Sequence, residues 1–396
     1  MGFLNGSVTF ERYRITEDQT GPFGKEHIEK LKKFRIGKSS KSNLHEQPVT
    51  GFSGGAHLLD TDFDTDKNII GEALHFGIRT DSVQIPGPIK RAWTAIELAG
   101  IMKDNQGGRP SKKQREEAKE AIEARCAAEA EKGNYLRMNE VSVLWDSPTE
   151  TVYLGSTSEK ANDNCLELLD RAFGLEFSKV TSGSLALELI EGADNADLLA
   201  SIYNAVATAF HPEGSNSVVW WNGMNDNYDY LGNEFLLWLW WHWQTKSDTI
   251  KLSDGSEVSG MFARSLSLDC PIGEHGKESI SADSPVALPE AILAIGMGKL
   301  PRKAGLTLVR EDQQFDFALQ AETFSIGSAK ISQIGNDDAI RDAIDRIESI
   351  RQLSETLDLL FEAFCEKRIG KKWNAEQKKI TDWLRSDQPK LKKRAA

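Results

Sequence analysis

The sequence predicts an α+β fold, with mixed antiparallel sheets and amphipathic helices, on three observations. Apolar residues alternate at period two in several short runs, as in strands with one buried face. Elsewhere they recur every three or four residues, most extensively from Ile340 to Phe364. Between Ala287 and Ala329 a helix, a basic turn and a β-hairpin follow one another directly.

From the N-terminus, Phe3, Leu4, Val8, Phe10 and Tyr13 make an opening strand. Glu26 to Phe34 is a short amphipathic helix with Ile28, Leu31 and Phe34 on one face, and Gly37 to Gly55 reads as a loop. In Ala73–Arg79 the residues Leu74, Phe76 and Ile78 alternate, and Ile85-Pro86-Gly87-Pro88 ends that strand. Lys90 to Ile101 is a helix expected to turn Trp93, Ile96 and Ile101 inward. Ser111 then starts a long charged helix reaching Lys132, whose apolar content is mostly alanine. Its oppositely charged residues lie three or four apart, which suits a solvent-facing helix.

A hairpin follows, with Val141, Val143 and Trp145 outbound, Asp146-Ser147-Pro148-Thr149 as the turn, and Val152 and Leu154 returning. Thr157 or Ser158 caps a helix through Phe173, closed by Gly174. Phe177 to Leu189 reads as a further strand region, and Leu198–Phe210 as a helix. Six of the ten tryptophans lie between Trp220 and Trp243, including the run Leu236–Trp243. That run is far short of the ~20 residues a membrane helix needs. Its density favours a core or an oligomer interface over base stacking, and a packed role for His242.

In the Ala287–Ala329 stretch Pro289 suits a first helical turn, where its missing N–H is no loss. Gly296 and Gly298 stop the helix, and Lys299, Arg302 and Lys303 follow. Leu306 and Leu308, then Phe315, Phe317 and Leu319, form the hairpin around Arg310–Gln314. Asp337 and Asp338 cap a helix from Ala339 to about Lys367, suited to a partner helix or a dimer seam. The chain thus divides into an N-terminal α/β region (1–104), a charged helix with hairpin and helix (105–190), a Trp-rich insert-like subdomain (191–283), a helix with basic turn and hairpin (284–335), and a C-terminal helix with basic tail (336–396).

The 396 residues carry 60 acidic and 48 basic side chains, a formal charge of −12. That total argues against a protein that coats nucleic acid with its whole surface, but not against a local basic groove or hole. The tail, Glu366–Arg394, holds eleven cations against four anions, so the remainder carries −19. The four cysteines, Cys126, Cys165, Cys270 and Cys365, form no CxxC pair. With no signal-like N-terminus, a reducing cytoplasmic location is expected.

No nucleotide-binding P-loop, HExxH or GxSxG motif is present, and nothing in the chain calls for an enzyme or a cofactor. Asp60, Asp62, Asp64 and Asp66 are the best metal-like cluster. An EF-hand starting at Asp60 fails, because Thr65 and Gly71 stand where Gly and Glu are required. A metal-dependent nuclease using Asp60, Asp62 and Asp64 is one alternative. A protein-interaction scaffold using the tryptophans and the C-terminal helix is another.

The basic clusters point to phosphate contacts that carry no base readout. They are Lys299, Arg302 and Lys303; Arg109, Lys112, Lys113, Arg115 and Lys119; and the tail residues Lys371, Lys372, Lys378, Lys379, Lys390, Lys392, Lys393 and Arg394. No recognition-helix, zinc-finger or RNP motif accompanies them.

Three stretches resemble the RdgC family, the bacterial recombination-associated proteins. Residues 73–92 resemble that family's strand, Pro turn and helix. Residues 108–122 with 141–174 resemble its charged helix, hairpin and Ser-capped helix, and residues 288–319 its helix, Gly-Lys turn and hairpin. With the opening strand they cover about half of the chain, in the family's order. The family's Pro-Arg-Ala-Phe segment is not evident near Tyr135–Val141, and the Trp-rich segment and basic tail lengthen this chain. The resemblance implies a horseshoe protomer, a ring-shaped homodimer around non-specific double-stranded DNA, nucleoid association, and a role in limiting RecA-mediated recombination. Lys299 and Lys303 match its Gly-Lys turn, and Lys112, Lys113 and Arg115 its charged helix.

Overall fold

The computed structural model describes residues 2–16, 21–37, 47–105, 108–192, 196–208, 210, 228–270, 276–331 and 339–386. In chain order the elements begin with β1 (Val8–Ile15), α1 (Lys25–Lys33), β2 (Val49–Ser53), α2 (Thr65–Asn68), β3 (Ile69–Ile70) and β4 (Ala73–Val83). They continue with α3 (Gly87–Asp104), α4 (Lys112–Glu131), β5 (Leu136–Asp146), β6 (Thr151–Leu154), α5 (Glu159–Phe173) and β7 (Phe177–Lys179). Next come α6 (Ser182–Gly192), α7 (Ala196–Tyr203), α8 (Tyr230–Thr245), β8 (Thr249–Lys251), β9 (Glu257–Asp269) and β10 (Glu278–Ala282). The last are α9 (Pro289–Gly296), β11 (Leu300–Arg310), β12 (Gln313–Gln320), β13 (Ile326–Lys330), α10 (Ala339–Ile369) and α11 (Trp373–Ser386). The fold is therefore mixed α+β with antiparallel strand pairing. The five segments read from the sequence fall into two compact units, each built from discontinuous stretches.

One unit comprises residues 17–148 and 158–176. Its sheet runs β2-β4-β5, with β3 also on β4, and β4 pairs with β5 from Ala73↔Asp146 to Val83↔Leu136. Strand alternation sends Phe52, Phe76 and Trp145 into a core completed by Phe23 and by Phe173 of α5. The Trp145 and Phe173 rings meet edge-on at 5.2 Å, a favoured aromatic geometry. Gly174, at φ 73°, closes α5 in the left-handed conformation.

The other unit comprises residues 1–16, 149–157 and 177–396. Its antiparallel sheet runs β10-β9-β11-β12-β13-β1-β6, with β7 also on β1 and β8 on β9. Every residue of α8 from Tyr230 to Trp241 is buried, the behaviour of a helix apolar on all sides. Phe235 packs on Phe324, Phe361 and Phe364, while Trp240 meets Phe262 and Trp383. The tryptophan run is thus the centre of this core. Gly232 permits the packing, because a Cβ there would lie 1.8 Å from the Ala321 carbonyl oxygen.

Five sequence expectations of the fold need correction. The segment read as a loop through Gly55 contains β2, which pairs with β4 and buries Gly51, Phe52 and Ser53. The strand expected through Leu189 ends at Lys179, and α6 takes over from Ser182. Leu185, Leu187 and Leu189 alternate like a strand, but Leu185, Ala186 and Ile190 are buried on a helical face. The Gly183 N–H donates to the Asp229 carboxylate at 3.1 Å, which favours the helical start. The helix expected through Phe210 ends at Tyr203. In α3, Ile96 is 65% exposed rather than inward, because that helix carries apolar residues on both faces. In α10, Ile347, Ile350, Leu353, Leu357, Leu360 and Phe364 are buried within the chain, so most of the expected seam is internal.

Candidate nucleic-acid interface

The expected basic turn after α9 is largely a strand. Lys299 precedes β11, and Arg302 and Lys303 lie within it. Lys299 is 5% exposed, and its ammonium donates to Glu278 Oε1 at 2.7 Å. Arg302 donates from Nε to Glu322 Oε1 at 2.6 Å and from Nη1 to Asp269 Oδ2 at 3.4 Å. Only Lys303 of the three is exposed. The counter-charges come from β10, from the end of β9 and from beyond β12, so strand pairing assembled them from sequence-distant places. Two of these three cations already have carboxylate partners.

The second cluster is different. Helices α3 and α4 form a hairpin whose connecting end is pinned by side chains. Ser111 Oγ accepts from the Gln114 N–H at 3.3 Å, and Gln114 Oε1 accepts from the Ser111 N–H at 3.0 Å, a capping box. The Asn105 and Gln114 amides exchange two further bonds of 3.0 and 3.1 Å across the connection. Towards the other end the Arg125 guanidinium lies 4.4 Å from the centre of the Trp93 ring, a cation–π contact. Ala118, Ile122 and Ala130 supply the buried positions of α4.

At the connecting end, Lys103, Arg109, Lys112, Lys113 and Arg115 are all exposed, against one carboxylate, Asp104, in the same stretch. Lys113 lies 3.6 Å from Glu117, and Lys119, further along α4, lies 3.9 Å from Glu123. Both are exposed i,i+4 pairs, worth about 0.5 kcal/mol or less, so a phosphate can displace them. Sequence reasoning found this cluster but missed Lys103 of α3 and Lys90, which faces the α3–α4 groove. The signal for both is only that a short connection returns α4 along α3.

Of the tail cations, Lys371, Lys372, Lys378 and Lys379 are exposed, and Lys371 lies 3.2 Å from Asp197. Lys390, Lys392, Lys393 and Arg394 lie outside the described residues, as do Trp220 and Trp221. Trp238, Trp240 and Trp241 are buried and so do not present a stacking platform. The His242 ring packs on Trp238, and its Nδ1 lies 3.1 Å from the Ser247 carbonyl oxygen.

The aspartate run is occupied by its own loop. The Asp60 carboxylate accepts from the N–H groups of Ala56 and Asp62 and from the Lys67 ammonium. Burial alone would raise its pKa; the Lys67 and backbone hydrogen bonds outweigh this and hold it below the usual value. Asp64 caps α2 by accepting from the Asp66 N–H at 2.9 Å. Among the described residues no group of three or more His, Cys, Asp or Glu is placed to hold a metal ion. Nor, among them, is any helix long and apolar enough to cross a membrane.

No protein-family model and no curated protein matches the chain.

Proposed function

We propose that this protein binds double-stranded DNA without sequence preference through the connecting end of the α3–α4 hairpin. It acts as a homodimer that encircles the duplex, associates with the nucleoid and limits RecA-mediated recombination. The supporting observation is the group of five exposed cations, Lys103, Arg109, Lys112, Lys113 and Arg115, at the connecting end of a pinned helical hairpin, where the neighbouring carboxylates are Asp104, Glu116 and Glu117. Flexible ammonium and guanidinium groups on a rigid hairpin suit phosphate oxygens and carry no base code. The ring, the recombination role and the cellular location rest on the resemblance to the RdgC family.

The test is fluorescence anisotropy on a labelled duplex at several salt concentrations, with the Lys112→Glu/Lys113→Glu variant alongside. Each phosphate contact contributes about 0.9 to the slope of log affinity against log salt. The variant is expected to lower affinity equally on unrelated sequences and to flatten the slope by about 2. Equal affinity and slope in variant and parent would remove the hairpin from the DNA site. A preference for circular over linear DNA after a high-salt wash tests encirclement separately.

A further inference from the structure

Helix α11 has two faces of opposite character. Trp373, Ile380, Trp383 and Leu384 are buried. The Trp383 ring meets Trp240 of α8 at 6.1 Å, and the Trp373 ring meets Phe364 of α10 at 6.2 Å, so the inner face is fixed to the core of its unit. Glu376 lies at the margin between the faces. It accepts from the Lys246 ammonium at 2.8 Å and from Trp238 Nε1 at 3.3 Å, so its charge is already engaged.

The outer face carries Lys378, Lys379 and Arg385, with Lys371 and Lys372 just before the helix, all exposed, against one exposed carboxylate, Asp382. Asn374 and Ala375, the other exposed residues there, are neutral. Lys371 lies 3.2 Å from Asp197, but both stand almost wholly in water, where such a pair contributes little. Among the described residues Lys372, Lys378, Lys379 and Arg385 have no carboxylate partner. Lys113 and Lys119 of the α3–α4 hairpin, by contrast, each have one. Lys378 and Arg385 are seven residues apart, just under two turns and about 10.5 Å. Lys371 and Lys372 continue the row one step further.

We infer that this face of α11 is a second surface for the phosphate backbone of duplex DNA, in the unit that does not carry the α3–α4 hairpin. It rests on the DNA-binding reading above and extends that reading to a part of the chain outside the three stretches that resemble the RdgC family. The chain as a whole is acidic, at −12, but local potential decides phosphate binding. A duplex carries one charge per about 1.7 Å of its axis, so a row of cations meets phosphates whatever sequence lies beneath it. Lysine and arginine on phosphate oxygens fix position and carry no base code. The partner is nucleic acid rather than a lipid surface, because a helix on a membrane inserts its apolar face. In α11 that face is buried in protein, and only the cationic face remains to bind.

The experiment is anisotropy of the full chain on a labelled duplex at several salt concentrations, comparing the parent with Lys378→Glu/Lys379→Glu, Asp382→Lys and Lys112→Glu/Lys113→Glu. All the substituted side chains are exposed, so each variant is expected to fold normally, which circular dichroism and thermal unfolding confirm. Lys378→Glu/Lys379→Glu is expected to lower affinity at least tenfold on unrelated sequences and to flatten the salt slope by about 2. Asp382→Lys is expected to raise affinity severalfold and steepen the slope by about 1, a gain that misfolding does not produce. Affinity and slope equal to the parent's in both α11 variants overturn the inference; if Lys112→Glu/Lys113→Glu weakens binding in the same series, the hairpin reading stands without it. Loss in Lys378→Glu/Lys379→Glu with an unchanged hairpin variant supports the α11 surface and removes the hairpin. A parent that ignores the duplex even at low salt overturns both. Co-sedimentation with phosphatidylserine–phosphatidylcholine vesicles tests the lipid alternative. Vesicle binding that Lys378→Glu/Lys379→Glu abolishes, with DNA affinity unchanged, assigns the face to a membrane and overturns the inference.

Discussion

The Lys299 ammonium lies 2.7 Å from Glu278 Oε1, with the lysine side chain 5% exposed. A lysine in one of the three stretches whose sequence resembles the RdgC family is thus committed to Glu278 of β10, which β9 separates from β11. Lys299→Ala is therefore expected to leave duplex affinity within about twofold of the parent, whereas Lys112→Glu/Lys113→Glu lowers it steeply. Its stability cost should be small, about 1 kcal/mol or less, because Glu278 is 43% exposed and regains water. Anisotropy and urea denaturation on the two variants check both halves. A tenfold loss of affinity in Lys299→Ala would return this lysine to the DNA site.

The ion pair of Glu234 and Arg368 makes the opposite prediction. The side chains are 2% and 7% exposed, and Arg368 Nε donates to Glu234 Oε2. Glu234 also accepts from the Thr208 N–H at 2.6 Å, and Arg368 Nη2 donates to the Val206 carbonyl oxygen at 2.7 Å. Removing one charge strands the other where water cannot reach it. Glu234→Ala or Arg368→Ala should each cost about 3–5 kcal/mol in urea denaturation. The double replacement Glu234→Leu/Arg368→Met should cost much less than the sum. Additive losses would mean the pair is not coupled.

The helical and strand periods made most elements legible in the sequence. The Ala339–Lys367 helix, the Ser111 start, the Gly174 stop and both strands around Arg310–Gln314 are local patterns, and the structure contains them. What a local pattern does not carry is the choice of partner. Leu185, Leu187 and Leu189 fit a strand as well as a helix until Asp229, far along the chain, caps α6. LLWLWWHW is apolar enough for either a core or an interface, and only the sheet and α10 packed around it decide. The cations divide in the same way. Lys112 and Lys113 are legible because α4 is charged on most of its surface. Lys299 and Arg302 look equally basic in sequence, yet their counter-charges, Glu278, Asp269 and Glu322, come from other elements. Whether a cation is available depends on sheet pairing, which short-range spacing does not encode.

Gly232→Ala tests how tightly α8 is seated. The added Cβ would stand 1.8 Å from the Ala321 carbonyl oxygen and 2.9 Å from Ser182 Oγ. Backbone at that distance has to move, and α8 is buried along its length, so the cost should exceed the gain in helix propensity by about 1–3 kcal/mol. A lowered urea midpoint with an unchanged far-ultraviolet spectrum is the expected result. A midpoint at or above the parent's would mean that α8 can shift away from Ala321 freely.

His75 gives the protein an acid sensitivity with a defined window. Burial, with a lesser contribution from the Lys67 ammonium, pushes its pKa down to about 4 from 6.5. Its Nε2 lies 3.1 Å from Ser142 Oγ, within the sheet of β4 and β5. Above pH 6.5 the ring is neutral in both the folded and the unfolded chain, and its titration makes no difference. Between pH 6.5 and 4 the unfolded chain binds a proton that the folded chain resists, so stability falls as pH falls. The full loss, complete below pH 4, is about 3 kcal/mol for a shift of this size. Urea denaturation at pH 7 and pH 4.5 should show this decline in the parent and a flatter profile in His75→Gln, whose amide can still bond Ser142. Identical pH profiles for the two proteins would assign the acid sensitivity to carboxylates such as Asp60, whose folded pKa is lowered.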